Sequence, residues 1–311
     1  MSIVELEIAG DDAERVRALR LRAADALESA YRFLEGAGDD RAWLRAQVLC
    51  GAQPATLLGD RLAASQADDG SFAMGTLVPG GAPGFPAFDP ERLGDDERAI
   101  VGTLEALLVA ADARILLADW IEPAVRALEA RQSDDGVYRV AASTMDGVAA
   151  DEDPTRADLF WTGMVAGVLG RTPLSRPAGL DAAGAYLAER FDPDLVEHGG
   201  YGTLLAYAHF FTNVAHDRGD EILQWCGRAL EKGFRSRRID GVSTLRLLLT
   251  CDAQAMPGAS FDVVELLERV LDEQAGDGGF AELAIGGPPS RTTPTFDAML
   301  AIVRLCAAIE D

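Results

Sequence analysis

The chain has 311 residues, of which 48% are hydrophobic and 25% are charged, a balance typical of a soluble globular protein with a large core. Its formal net charge is −23, so we exclude nucleic acids and anionic membrane surfaces as partners, because both require a positive protein face. The single lysine, Lys232, precedes Gly233, which excludes a P-loop and leaves one residue for any Schiff base.

Helical periodicity runs through most of the chain, with apolar residues three and four positions apart and no convincing strand alternation. The clearest helical segments are 55–64, 99–110, 121–129, 159–169, 203–214, 261–273 and 295–309. Two less regular regions, 1–51 and 222–251, extend the same pattern. The sequence therefore predicts an all-α protein, which we treat as one domain spanning residues 1–311.

A short motif, Gln-x-x-Asp-Gly-x-aromatic, recurs between these helices. Its copies are QADDGSF at 66–72, QSDDGVY at 132–138 and QAGDGGF at 274–280, with a weaker copy at 198–202. The aromatic positions 72, 138, 201 and 280 are 66, 63 and 79 residues apart. The Asp-Gly pair ends the preceding helix and allows a left-handed turn, while the glutamine can bond exposed backbone groups there. Five or six such helix pairs predict either an open solenoid or a closed ring around a cavity.

These motifs resemble the Gln-Trp-type repeats of the squalene–hopene cyclase, class II terpene cyclase and protein prenyltransferase β-subunit superfamily. The chain is most similar to class II terpene cyclase-like proteins. The resemblance implies an α/α toroid, in which the helix after each motif belongs to an inner ring around an apolar cavity. The tryptophan usual in that family is replaced by Phe72, Tyr138, Tyr201 and Phe280.

An acidic stretch after the second motif, Asp-Glu-Asp-Pro at 151–154, is similar to the Asp-x-Asp-Asp segment of class II terpene cyclases. The resemblance implies that Asp153 is the general acid that protonates an alkene and that Asp151 orients it, without a metal or other cofactor. Such an acid must be protonated; burial and nearby carboxylates favour that form, whereas a helix N-terminus opposes it. Pro154 replaces the fourth acid, and Asp153 followed by proline is also typical of a simple helix cap.

Six aromatic residues fall on helices that follow a motif, and carbocations are stabilised by aromatic faces. We predict that they line a substrate-binding cavity, with the alternative that they only fill the core. They are Phe160, Trp161, Tyr207, Phe210, Phe211 and Phe296.

Protein prenyltransferases hold a zinc ion with Asp, Cys and His, but the stretch 287–297 contains no histidine. The three histidines, His198, His209 and His216, surround the weak motif copy instead. His209 and His216 are seven residues apart on one predicted helix, too far apart to share a metal ion without further ligands. We therefore predict no metal site.

Two other segments have a predicted surface role. The Pro/Gly-rich segment 75–90 either covers the cavity as a lid or is only an ordered surface insert. The basic segment 233–238 is predicted to be a solvated helix end, with anion binding as the alternative.

The cellular compartment is predicted from cysteine usage and from the absence of targeting patterns. Four cysteines are scattered without close pairs, which indicates reduced thiols in a cytoplasmic protein: Cys50, Cys226, Cys251 and Cys306. The first residues do not resemble a signal peptide. The sequence contains no run of 18 apolar residues, so we predict no integral membrane segment.

Two functions from different classes are consistent with the sequence. The first is an isomerase-type enzyme that cyclises or isomerises an isoprenoid or polyene substrate by proton transfer from Asp153. The alternative is a toroid that is noncatalytic, or catalyses another acid–base reaction, and binds a small apolar ligand or a partner protein.

Overall fold

Helices account for most of the computed structural model, which describes residues 3–74, 91–141, 144–145, 148–149, 153–198, 200–251, 256–281 and 291–310. The helices are α1 (Ile3–Gly36), α2 (Asp40–Leu49), α3 (Ala55–Ser65), α4 (Asp95–Asp112), α5 (Ile121–Glu129), α6 (Pro154–Gly170), α7 (Pro177–Glu189), α8 (Pro193–His198), α9 (Tyr201–Asn213), α10 (Gly219–Arg235), α11 (Gly241–Thr250), α12 (Val263–Asp272) and α13 (Thr292–Glu310). Two short antiparallel strands, β1 (Thr144–Met145) and β2 (Val148–Ala149), pair with each other. The prediction of an all-α protein is confirmed.

The seven helical segments predicted from apolar periodicity are all helices in the structure, although some boundaries differ. The segment 121–129 matches α5 at both ends, whereas α4 begins four residues before the predicted start at Ala99. The first turn of α4 is acidic and largely solvated, so it carries no apolar signal. It is stabilised because the Glu97 carboxylate accepts a hydrogen bond from the Gly94 N–H at 2.6 Å.

Five helices are buried along most of their length and are called the core helices: α4, α6, α9, α11 and α13. Every residue from Ala99 to Ala111 of α4 is buried, as is every residue from Gly202 to Phe211 of α9. By contrast, α12 buries only one apolar face, like a surface helix. Along the core, α4 contacts α6, α6 contacts α9, α9 contacts α11, and α11 contacts α13, which also packs against α1 and α2.

The motif glutamine joins each helix pair to the next one. In the last motif, Gln274 Nε2 donates to the Gly278 carbonyl at 2.9 Å and to the Ala26 carbonyl of α1 at 2.8 Å. The same two bonds recur in the other complete motifs, from Gln66 to Gly70 and Trp120 and from Gln132 to Gly136 and Gly179. The last helix pair is therefore fastened to the first helix of the chain.

The motif aromatic residue is held by the core helix that follows it. In each complete motif its backbone N–H donates to a threonine hydroxyl at 3.0–3.1 Å: Phe72 to Thr103, Tyr138 to Thr162 and Phe280 to Thr295. The aromatic rings themselves are at most 1% exposed. These buried bonds fix each core helix relative to its motif, and the core helices in turn carry the walls of the cavities described next.

Candidate ligand-binding site

Two neighbouring cavities lie where the C-terminal end of α4 meets α13. One has a volume of about 380 Å³ and is walled mainly by leucines and alanines of α11, α12 and α13. The other, about 400 Å³, lies between α2, α3, α4 and α13. Both volumes are typical of small-molecule sites. The cavities share five lining residues: Asp112, Arg114, Leu300, Arg304 and Ala307.

The charged residues that line the two cavities are mostly positive, in a chain whose net charge is −23. They are four arginines and one aspartate: Arg45, Arg114, Arg171, Arg304 and Asp112. Arg171 follows α6 and donates to the Thr250 carbonyl at the end of α11 at 3.2 Å. Cations are favoured beside helix C-termini, where the carbonyl groups carry partial negative charge. The cavities therefore combine apolar walls with an excess of positively charged lining residues.

A buried network of ion pairs holds the helices around the cavities together. Asp112 accepts from Arg45 Nη2 at 2.9 Å and from Arg246 Nη1 at 3.0 and 3.1 Å. Arg246 also lies 3.5 Å from Asp297, and the Arg45 guanidinium stacks 3.8 Å from the centre of the Phe296 ring. Burial raises the pKa of Asp297, although Arg246 and Arg45 oppose this. The charged side chains come from α2, α4, α11 and α13, so the network fixes these four helices relative to one another.

The predicted acid, Asp153, lies at the other end of α6 from Arg171. It is the N-cap residue of α6, and its Oδ2 accepts from Arg156 Nε at 2.8 Å. About a third of its side chain is exposed. An ion pair needs the carboxylate form, whereas protonation of an alkene needs the acid form. Its predicted partner, Asp151, lies outside the described residues.

The six predicted aromatic residues are all buried, each at most 5% exposed. Five of them belong to α6 and α9, where ring pairs such as Phe160–Trp161 and Phe210–Phe211 meet edge to face with centroids 5.2 and 4.9 Å apart. None of these five lines either cavity, whereas Phe296 lines the 400 Å³ cavity. The structure therefore brings one predicted ligand contact, Phe296, into the candidate site.

The prediction that His209 and His216 share one helix is wrong. Helix α9 ends at Asn213 because Val214 takes an extended backbone conformation, with φ −127° and ψ 123°. His216 lies in the following turn, where its Nδ1 accepts from the Arg218 N–H at 3.1 Å. Among the described residues, no group of three His, Cys, Asp or Glu side chains is placed to hold a metal ion.

His209 is completely buried in α9 beside α6. Neither of its ring nitrogens has a hydrogen-bond partner within the described part of the chain. Burial lowers its pKa to about 3, and the positive charges of Arg171 and Arg246 act in the same direction. The imidazole is therefore neutral at physiological pH and packs as a core group.

The remaining sequence-based predictions fall outside the candidate site. The segment 75–90, predicted as a lid or insert, lies outside the described residues, so its position is untested. The basic segment 233–238 ends α10, its arginines are exposed, and Arg235 pairs with Glu265 and Glu231. None of the four cysteines, all of them within the described residues, forms a disulfide bond.

Sequence reasoning missed the arginines that line the cavities and missed Asp112, which pairs with Arg45 and Arg246. The sequence did contain a signal for the ion-pair network, because Arg246 and Asp297 each interrupt an apolar stretch of a core helix. A charged residue is rarely buried there without a partner.

One described helix segment, Thr292–Ile309, is long and apolar enough to cross a membrane. It lies within α13, the core helix that lines both cavities, and 61% of it is buried inside the protein.

Comparison of the chain with protein-family models, with curated proteins and with solved structures finds no match in any of the three.

Proposed function

We propose that this protein is an α/α toroid that binds a small apolar ligand, of isoprenoid or polyene type, in the cavities where the C-terminal end of α4 meets α13. The observation that carries the proposal is the pair of cavities of about 380 and 400 Å³ that meet at shared lining residues. Their walls include Leu245, Leu248 and Leu249 of α11 and Leu300 of α13. An apolar ligand gains about 25 cal/mol for each Å² of apolar surface that such walls remove from water.

The ring arrangement is supported by contacts between the two ends of the chain. Besides the Gln274–Ala26 bond, Arg15 of α1 forms a bidentate pair with Glu268 of α12 at 2.9–3.1 Å. Thr292 at the start of α13 donates to the Asp39 carboxylate before α2 at 3.2 Å. An open solenoid would leave its first and last units apart.

The proposal is tested with a substitution that fills the space between the cavities. Ala307 lines both cavities, so Ala307→Trp should weaken the affinity for farnesol by at least about tenfold. Calorimetric titration measures this affinity. Ala63 is an exposed alanine on α3 that lines neither cavity, and Ala63→Trp is the matched control. Equal affinity of both variants, or no binding by the unaltered protein, would contradict the proposal.

The cyclase hypothesis is a separate prediction, because none of the predicted aromatic residues of α6 and α9 lines either cavity. A helix of 17 residues spans about 25 Å, so Asp153 is that far from the end of α6 that reaches the cavities. We expect Asp153→Asn to leave farnesol binding unchanged. If polyenes or prenyl diphosphates are turned over and this variant stops turnover while remaining folded, Asp153 is the acid and the reaction occurs at the other end of α6.

A further inference from the structure

Arg114 occupies a position that normally belongs to glycine. It is the residue after the C-cap of α4, and its backbone is left-handed, with φ 58°. Its N–H donates to the Ala111 carbonyl at 3.1 Å, and the next N–H, of Ile115, donates to the Ala110 carbonyl at 2.9 Å. This pair of bonds is a Schellman turn, in which a side chain at the left-handed position is unfavourable.

The same turn after α2 has the expected residue. There Gly51 is left-handed, with φ 73°, and donates to the Val48 carbonyl at 3.1 Å. An arginine at the equivalent place after α4 therefore carries a conformational cost that glycine avoids after α2. The cost points to a function only where the side chain reaches a site that glycine could not serve.

The side chain of Arg114 lies at such a place. Arg114 lines both cavities, together with Arg304 of α13, at the place where the cavities meet. Within the described ranges, the Arg114 guanidinium has no ion pair, whereas Arg45 and Arg246 are both paired with Asp112. Its charge is thus available to a molecule in the cavity.

We infer that Arg114, together with Arg304, binds an acidic head group of the ligand, so that the ligand is an amphipathic molecule with an apolar chain and a carboxylate or phosphate. This inference rests on the proposed function, because the apolar part must occupy the cavities. Guanidinium groups bind both kinds of acid through paired, charge-assisted hydrogen bonds. Two arginines shared by both cavities complement such a group in an otherwise strongly negative protein.

A second arginine in the same chain provides a matched control. Arg237 follows α10, has φ 59° and donates to the Phe234 carbonyl at 3.1 Å, while the next N–H, of Arg238, donates to the Gly233 carbonyl at 2.9 Å. It therefore has the same Schellman turn as Arg114. Arg237 is exposed and lines neither cavity.

The experiment compares Arg114→Gly and Arg237→Gly with three probes that share one chain: dodecanoate, dodecyl phosphate and dodecanol. Both variants relieve the same backbone cost, so both should melt at or above the temperature of the unaltered protein. In the unaltered protein, at least one acid should bind at least about tenfold more tightly than the alcohol, and high salt should reduce this advantage. Arg114→Gly should lose the advantage and keep the affinity for dodecanol, whereas Arg237→Gly should keep both.

The outcomes separate this inference from the proposed function. If dodecanol binds as tightly as both acids, or if Arg114→Gly keeps the advantage of the acids, the inference is overturned while the apolar cavity remains supported. If none of the three probes binds, the proposed function fails and the inference fails with it. The acid with the larger advantage identifies the head group as carboxylate or phosphate.

Discussion

At the level of single residues, Asp112 is the carboxylate that two buried guanidinium groups share. Its side chain and those of Arg45 and Arg246 are each no more than 10% exposed. Removing one partner of a buried ion pair leaves charge without compensation, which usually costs several kcal/mol. Asp112→Asn should therefore lower the free energy of unfolding by about 3 kcal/mol. Urea denaturation monitored by circular dichroism measures this change.

The matched control for Asp112 is Asp272, whose pair with Arg22 is largely solvent-exposed. Exposed ion pairs contribute little, so Asp272→Asn should change the free energy of unfolding by less than about 1 kcal/mol. If Asp112→Asn is no more destabilising than Asp272→Asn, the network around the cavities does not stabilise the fold.

At the level of the structural element, the turn of the last motif depends on the glycine of its Asp-Gly pair. Gly278 has φ +87°, and a Cβ at this position would lie 2.4 Å from the Ser29 carbonyl oxygen of α1. Gly276, two residues earlier in the same motif, has no atom within 4 Å of such a Cβ. Gly278→Ala should therefore destabilise the protein by more than about 2 kcal/mol, whereas Gly276→Ala should be almost neutral. Thermal unfolding of the two variants under identical conditions provides the comparison.

The contrast between the two glycines also tests how the ends of the chain are joined. The backbone of Gly278 approaches α1, so a side chain there must push the last unit away from the first. Equal melting temperatures for the two variants would show that this approach does not contribute to stability.

Sequence patterns predicted the helices beside the motifs because both helices and turns are encoded locally, whereas α7 and α8 lay in no predicted segment. The apolar period predicted α5 at both ends, and the Gln-x-x-Asp-Gly pattern predicted left-handed glycines, found at Gly70, Gly136 and Gly278. Helix ends were less predictable where they depend on capping or on the backbone of a single residue, as at Gly94 and Val214.

At the scale of the whole molecule, the candidate site was not predictable from the same local patterns. Asp112 meets Arg45 across 67 positions of the chain and Arg246 across 134. Which charged residues meet depends on how the helix pairs pack, and no residue spacing in the sequence specifies that. The one predicted contact in the site, Phe296, was identified because it lies on a core helix next to a motif.

Stability as a function of pH reports on the packing of the whole core through His209. The pKa of His209 is about 3 in the folded protein and about 6.5 in an unfolded chain, so unfolding takes up a proton between these values. The stabilisation is complete above pH 6.5 and is lost progressively as the pH falls towards 3. Hydrogen bonds with Ser71 and Arg291 lower the pKa values of Asp69 and Asp277 from 3.8 to about 2. These carboxylates therefore lose their contributions to stability only as the pH falls from about 3.8 towards 2.

Between pH 6.5 and about 4.5, the free energy of unfolding should therefore fall by up to about 1.4 kcal/mol per pH unit, mainly because of His209. Urea titrations at pH 7, 6 and 5 measure this slope. His209→Asn has no titrating group at this position, so the slope should largely disappear. The control His198→Asn removes an exposed histidine, and its slope should match that of the unaltered protein. A flat profile in the unaltered protein, or an unchanged slope in His209→Asn, would mean that water reaches the imidazole and that α6 and α9 are not closely packed around it.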